Sequence, residues 1–307
     1  MKNIRLGTRS SPLALRQASI VKNLLIQSTE LTEDSINIIP ITTSGDKYVN
    51  TKISDLGIKG VFTKELEIAL LEDQIDIAVH SLKDMPAEIH PQLTISSYLK
   101  RDDVRDILIG FDKGIEYLPA GTKIGTSSLR REAQIKKYSQ NLHVVPIRGN
   151  IGTRISKVGD EVDVIILAKA GIDRMSFTPD CYHIFGTDQM LPAAAQGIIA
   201  IETKLGSQAE SFVKVLNDND TMLAAECERA FLKGWEEVKF HYTGEHSSSC
   251  RIPLAALSQI SNHTIHIKAL VEDKGELFFE NDVDNIENRN QLGHRVALKL
   301  GKIIFEK

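Results

Sequence analysis

The sequence predicts an α/β chain made of two similar lobes, followed by a smaller α+β domain. Three features carry that expectation. Short apolar strands alternate with amphipathic helices; a strand, a serine-rich loop opening Gly-Thr and a helix occur twice in the same order; and 307 residues exceed what a single core usually serves.

The first strand centres on Ile4 and Leu6 and breaks at Gly7-Thr8-Arg9-Ser10-Ser11. Ser11 is a good N-cap and Pro12 a good first helical residue, with Leu13, Val21, Leu24 and Leu25 on the apolar face. A strand over 36–42, a polar stretch over 44–59 that reads as a mobile loop, a helix over 62–72 and the strand 75–81 come next, predicting a mostly parallel sheet. The order then returns. Gly125-Thr126-Ser127-Ser128 follows Lys123-Ile124 and opens another arginine-bearing helix. Gly60 matches Gly149, and the strand from Asp76 matches that from Asp163, at nearly the same interval; Gly7 and Gly125 lie further apart, which places the extra residues in the polar stretch before Gly60. Crossovers between lobes are expected near 98–106 and 196–202. A helix over 222–235, an alternating strand over 264–271 and a helix over 288–304 form the last domain. The expected boundaries are 1–98 with 198–218, 99–197, and 222–307.

Composition is that of a globular chain, 42% apolar and 25% charged, and no apolar run is long enough to span a membrane or to form a secretory signal. A cytoplasmic location is expected. The net charge of −4 hides two cationic windows: residues 1–29 hold Lys2, Arg5, Arg9, Arg16 and Lys22 with no acid, and residues 121–160 hold eight Lys or Arg against Glu132 and Asp160. Nucleic acid is disfavoured as the partner, because aromatic side chains for base stacking are missing from the first window and only Tyr138 stands in the second. A small molecule with several acidic groups fits better. The three cysteines, Cys181, Cys227 and Cys250, are too few and too scattered for a disulfide framework.

The loop Thr126-Ser127-Ser128 at a helix start offers backbone N–H groups and hydroxyls to a carboxylate or phosphate. Arg130 and Arg131 in the first turn oppose the helix dipole, so they need a reason; a bound polyanion would supply one, and two solvated arginines on a capped helix are the plainer alternative. Arg148 and Arg154 flank another helix start, and arginine favours bidentate recognition of carboxylates. His80-Ser81-Leu82-Lys83-Asp84-Met85-Pro86 places hydroxyl, ammonium and carboxylate at a strand's end, or else forms an ordinary turn closed by proline. Among so many cations Asp84 is expected to stay ionised and to stabilise a cation or move protons. His241, Glu245, His246 and Cys250 are zinc-ligand types, but their spacing matches no strong metal signature, and no metal is expected.

These motifs, RLGTRSSPLAL, GVFTKELEIALLE, DIAVHSLKDMP, GTSSLRR, RGNIGTR, DVIILAKAGIDR, LPAAAQG, ECERAF and CRIPL, resemble those of the porphobilinogen deaminase (hydroxymethylbilane synthase) family over essentially the whole chain. The resemblance implies two type II periplasmic-binding-protein-like lobes with a hinge and a C-terminal α+β domain. It implies a transferase of tetrapyrrole, and hence porphyrin and heme, biosynthesis. Four porphobilinogen units are joined head to tail, with loss of ammonia, into hydroxymethylbilane on a covalent dipyrromethane cofactor. The chain would act as a monomer and pass its product to the next enzyme, with no nucleic acid or membrane as partner.

By the same resemblance Cys250 carries the cofactor through a thioether, and Asp84 stabilises the azafulvenium cation left when ammonia departs. Ser81, Lys83, Thr126, Ser127, Ser128, Arg130, Arg131 and Gly149 would hold the cofactor's acetates and propionates. Arg9, Ser11, Arg148, Arg154, Arg174 and Gln196 would hold the pyrroles, with Lys59 and Phe62 by the mobile loop. The chain departs from the family in having Ser248 and Ser249 before the cysteine where glycine is usual, a longer segment between Glu228 and Cys250, and Ala195 where glycine is common. A non-catalytic polycarboxylate binder of the same fold, or a family member impaired at the cysteine loop, are the alternative readings.

Overall fold

The computed structural model describes residues 3–43, 62–139, 141–245 and 252–306. The chain forms two compact units, Met1–Asp102 with Gly197–Met222 and Asp103–Gln196 with Leu223–Lys307. The first contains β1 (Ile4–Arg9), α1 (Pro12–Ser28), β2 (Ile36–Ile41), α2 (Lys64–Leu71), β3 (Ile77–Ser81), β4 (Leu93–Tyr98), β10 (Ile199–Lys204) and α6 (Gln208–Val213). The second contains β5 (Asp106–Ile109), β6 (Lys123–Gly125), α3 (Leu129–Lys136), β7 (His143–Val145), α4 (Ile151–Ile155), β8 (Val164–Ala168), α5 (Lys169–Arg174) and β9 (Tyr182–Ile184). It continues into β11 (Leu254–Ser261), β12 (Thr264–Asp273), β13 (Glu276–Asn285) and α8 (Arg289–Phe305); the long helix α7 (Asn219–Thr243) starts in the first unit and lies mostly in the second.

The duplication read from the sequence is complete at the level of topology. One sheet runs β2-β1-β3-β10-β4 and the other β7-β6-β8-β5-β9, a single strand order used twice, as expected of two periplasmic-binding-protein-like lobes. It is also visible at single atoms. The Asp76 carboxylate accepts the Arg5 backbone N–H at 2.7 Å, and the Asp163 carboxylate accepts that of Lys123 at 2.7 Å. The expectation of mostly parallel sheets needs correction. In each sheet two pairings are parallel and two antiparallel, because the strand entering after each crossover runs against its neighbours: β10 against β3 and β4, β5 against β8 and β9.

Local signals explain the elements beside the site. The Ser11 side chain accepts from the Ala14 N–H, and α1 buries Ala14, Ala18, Val21 and Leu25 together with one polar residue, Gln17. Thus the buried stripe is rotated from the expected one, with Leu13 and Leu24 only partly covered. Gly7 and Gly125 occupy equivalent places: a Cβ on Gly125 would meet Ile147 Cδ1 at 2.8 Å and Ile165 Cγ2 at 2.9 Å, whereas one on Gly7 would meet the terminal Cδ1 of Ile75 at 2.3 Å, which that side chain can relieve by rotating.

The C-terminal elements form an antiparallel three-stranded sheet under α7 and α8, with Cys227, Phe231, Trp235, Ile267, Val296 and Leu300 in its core. The helix expected over 222–235 runs on to Thr243. Part of the extra length before Cys250 is therefore helical, not loop. Those added turns are held by stacking of Trp235 and Tyr242 on Phe305, with ring centroids 6.2 and 4.9 Å apart.

Gly125→Ala should lower stability by about 1–3 kcal/mol through overpacking, and Gly7→Ala by less. Gly152→Ala, whose Cβ would meet nothing closer than 3.5 Å, should be neutral or stabilising. Urea unfolding midpoints check this; an unchanged midpoint for Gly125→Ala would show that the strand packing is looser than these distances require.

Candidate functional site

In the first unit the parallel neighbours β1 and β3 end at the same rim, so the residues just past them meet. Arg9 closes β1, Ser11 caps α1, Ser81 closes β3, and Lys83 and Asp84 stand on the single 3-10 turn Leu82–Asp84. That turn is anchored by the Leu82 N–H donating to the Ile198 carbonyl at 3.0 Å. Arg9, Ser11, Ser81 and Asp84, with Gln17, Phe62 and His80, line a small hollow that opens to solvent. The Arg9 guanidinium lies 4.2 Å from the centroid of the Phe62 ring, which joins two of the expected residues by a cation–π contact. Lys59 lies outside the described residues.

Two polar groups of this rim carried no periodic signal. Gln17 is buried on an otherwise apolar helix face, and its amide N–H donates to Ser81 Oγ at 2.8 Å, fixing the serine. His80 Nε2 is 3.1 Å from Glu202 Oε2, and both side chains are buried. A buried carboxylate is tolerated only when partnered. The sequence hint for the pair was a histidine and a glutamate, each inside an apolar strand.

In the second unit the hydroxyls after β6 are engaged in shaping the loop. Thr126 Oγ1 accepts the Ser128 N–H at 3.2 Å, Ser127 Oγ donates to the Ile147 carbonyl at 2.7 Å, and Ser128 caps α3 by accepting the Arg131 N–H at 3.4 Å. Gly149 has φ of +112°, a conformation natural to glycine, and its carbonyl accepts from Arg154 Nε at 2.7 Å. Arg148 and Arg154 are half-buried around α4, and Arg174 is buried at the end of α5.

The reason for Arg130 and Arg131 is inside the chain, where no sequence signal pointed. Both guanidiniums are buried and meet the carboxylate of Asp106 at the start of β5, Arg130 Nη2 donating to Oδ2 at 2.7 Å and Arg131 Nη2 to Oδ1 at 2.8 Å. The remaining Nη atoms donate to the carbonyls of Leu191 and Ile166, at 2.7 and 3.0 Å. Neither the solvated pair nor a pair waiting for its only anion describes them. Gln196, expected at the pyrroles, is fully buried as a third arm of this hub; its amide donates to Val104 O at 2.8 Å and to Asp106 Oδ1 at 3.0 Å. Burial alone would raise the Asp106 carboxyl, but the two guanidiniums overrule it and hold it well below the usual carboxylate range.

Of the cysteines, Cys227 is buried in α7, and burial pushes its thiol up to about 11, which removes it as a nucleophile near neutral pH. His241 is exposed on the last turn of α7, edge-on to Tyr242. His246 and Cys250 lie outside the described residues.

The family model for "Porphobilinogen deaminase, dipyromethane cofactor binding domain" matches residues 4–211. A protein named porphobilinogen deaminase from Syntrophomonas wolfei is 41% identical over 276 residues, covering 88% of this chain and 85% of the relative. Another of that name from Chloroherpeton thalassium is 37% identical over 306 residues, covering 96% of this chain and 93% of the relative. The chain belongs to the porphobilinogen deaminase family. A porphobilinogen deaminase from Alkaliphilus metalliredigens, 35% identical, covers 100% of this chain.

The residues present fit the family's dipyrromethane cofactor, whose side chains are acetates and propionates. Two guanidiniums share one carboxylate at Asp106, and the buried Nε atoms of Arg130 and Arg131 have no hydrogen-bond partner among the described residues. The hub therefore retains positive charge and donor capacity for further carboxylates.

Asp106→Asn should cost about 3–5 kcal/mol, since it leaves two buried cations without their anion. Because the folded carboxyl titrates below its unfolded value of about 3.9, its contribution is complete above that pH and is lost as pH falls through the folded value. The stability gap between wild type and Asp106→Asn should hold constant from neutrality down to about pH 4 and close only in stronger acid. Urea titrations across pH measure it; a gap that closes near neutrality would contradict the ionised hub.

Proposed function

We propose that this chain condenses four porphobilinogen molecules head to tail, with release of ammonia, into hydroxymethylbilane. The observation that carries the reading is the half-buried carboxylate of Asp84 lining one hollow with Arg9, in a chain of this family. Bound through a thioether to Cys250, the dipyrromethane cofactor supplies the pyrrole terminus on which the product grows.

The chain's own groups have separable tasks under this reading. The Asp84 carboxylate stabilises the positive charge that develops as ammonia leaves the substrate's aminomethyl carbon, and it accepts a hydrogen bond from the pyrrole N–H. Arg9, held over Phe62, and Ser11 bind carboxylates of the incoming ring. Ser81, positioned by Gln17, and Lys83 bind those of the cofactor, as do Arg130 and Arg131 through the donors that Asp106 leaves unused. Ser127 and Gly149 complete that group, while Thr126 and Ser128 act indirectly by shaping the loop. Arg148, Arg154 and Arg174 bind the growing chain, and each new ring brings two further carboxylates for them. Gln196 is assigned to the hub and not to the substrate.

The division into 1–98 with 198–218, 99–197 and 222–307 is supported by the three separate sheets. Among the described residues no helix is long and apolar enough to cross a membrane. A cytoplasmic monomer that releases hydroxymethylbilane to the next enzyme is part of the same reading.

Intact wild-type protein should exceed its sequence mass by one dipyrromethane unit, mapped to Cys250, and Cys250→Ser should lack both adduct and activity. Cofactor-loaded Asp84→Asn should lose turnover by orders of magnitude, because preorganised electrostatic groups are worth roughly 3–4 kcal/mol. An unmodified wild-type chain would favour the polycarboxylate binder or the impaired member, and normal turnover in Asp84→Asn would remove it from the mechanism.

A further inference from the structure

Glu228 is fully buried in α7 and has no part in the binding and condensation steps. Its two carboxylate oxygens reach two distant segments: Oε2 accepts the Ala195 N–H at 2.6 Å, and Oε1 accepts the Ser258 N–H at 2.7 Å. Ala195 has φ of +60°, the left-handed region that disfavours any residue with a Cβ. This gives a physical reason for glycine being common at that place in the family, and it means that alanine there must be held. The carboxylate of Glu228 is in position to hold it.

The next residue in the chain is Gln196, whose direction is set by the Ala195 backbone. Its amide is the third donor to Asp106, and Asp106 orients the Arg130 and Arg131 guanidiniums. Every side chain along this line is buried. A shift at one end cannot be absorbed by solvent and must be passed on or must break a hydrogen bond. We propose that Glu228 is a positioning residue for the Arg130–Arg131 pair, acting through the backbone of Ala195, the amide of Gln196 and the carboxylate of Asp106. The inference rests on the reading that this pair receives the cofactor's carboxylates.

Glu228→Gln puts an amide NH₂ where one of the two N–H donors needs an acceptor. The dipyrromethane-loaded fraction, read by intact mass of the purified protein, should fall about tenfold, as for loss of a charge-assisted hydrogen bond. Glycine adopts the left-handed conformation without being held. Adding Ala195→Gly to Glu228→Gln should therefore restore loading, a rescue that a merely stabilising glutamate would not show. Gln196→Met interrupts the line below Ala195, so it should load as poorly as Glu228→Gln and should not be rescued by Ala195→Gly. Full loading of Glu228→Gln, failure of the rescue, or full loading of Gln196→Met overturns the proposal; if Glu228→Gln does not fold, Gln196→Met alone decides. Arg131→Leu, measured beside them, separates the two levels. Full loading of Arg131→Leu overturns the cofactor reading itself, whereas an unloaded Arg131→Leu beside a fully loaded Glu228→Gln overturns only the positioning.

Discussion

Two successive arginines in the first turn of a helix repel each other and the helix dipole, and in this chain both are also withdrawn from water. The carboxylate of Asp106, accepting from both guanidiniums, makes that arrangement tenable. A buried ion pair of this kind contributes little net stability, since desolvation offsets most of the attraction. Its consequence is geometric. With the Nη atoms tied to Asp106 and to the Leu191 and Ile166 carbonyls, the planes and the remaining N–H groups of both guanidiniums have fixed directions. An acidic ligand bound there, as proposed, would meet cations whose side-chain entropy has already been given up during folding.

The first unit reaches a comparable end by a different route. There the Arg9 guanidinium lies over the aromatic face of Phe62. Ser81 is steadied by Gln17, a neutral side chain buried under α1. The duplicated frame thus carries different supports beside its strand ends: a carboxylate shared by two arginines in one lobe, and an aromatic face and a neutral amide in the other, with the His80–Glu202 pair behind them. Asp84 shares its hollow with His80, whose ring meets the buried Glu202 carboxylate.

Much of this was legible in the sequence, because it depends on local chemistry. Ser11-Pro12 marks a helix start wherever it lies, and the matching loops 7–11 and 125–128 announce the doubled lobe. The matching Asp76 and Asp163, visible in the sequence only as an interval, turn out to be the same hydrogen bond made twice. What escaped was non-local. Asp106, Gln196 and Glu228 are single polar residues whose partners lie tens of positions away, and no spacing rule connects an aspartate opening one strand to arginines on a helix after the next. Antiparallel insertion of β5 and β10 escaped for the same reason, since strand direction depends on where the chain has crossed. Helix α7 outruns its local sequence signal because its last turns are held by Phe305 at the far end of the chain.

The place of β10 also bears on how the protein is made. It lies between β3 and β4 and pairs with both, yet it follows the whole of the second sheet in the sequence. On the ribosome, β5 to β9 can complete their sheet while the earlier-synthesised lobe still lacks one of its interior strands. Until residue 204 has emerged, β3 and β4 each present an unpaired edge. The lobe that begins first therefore finishes second, and the interval between is when this chain is most open to pairing with the wrong strand.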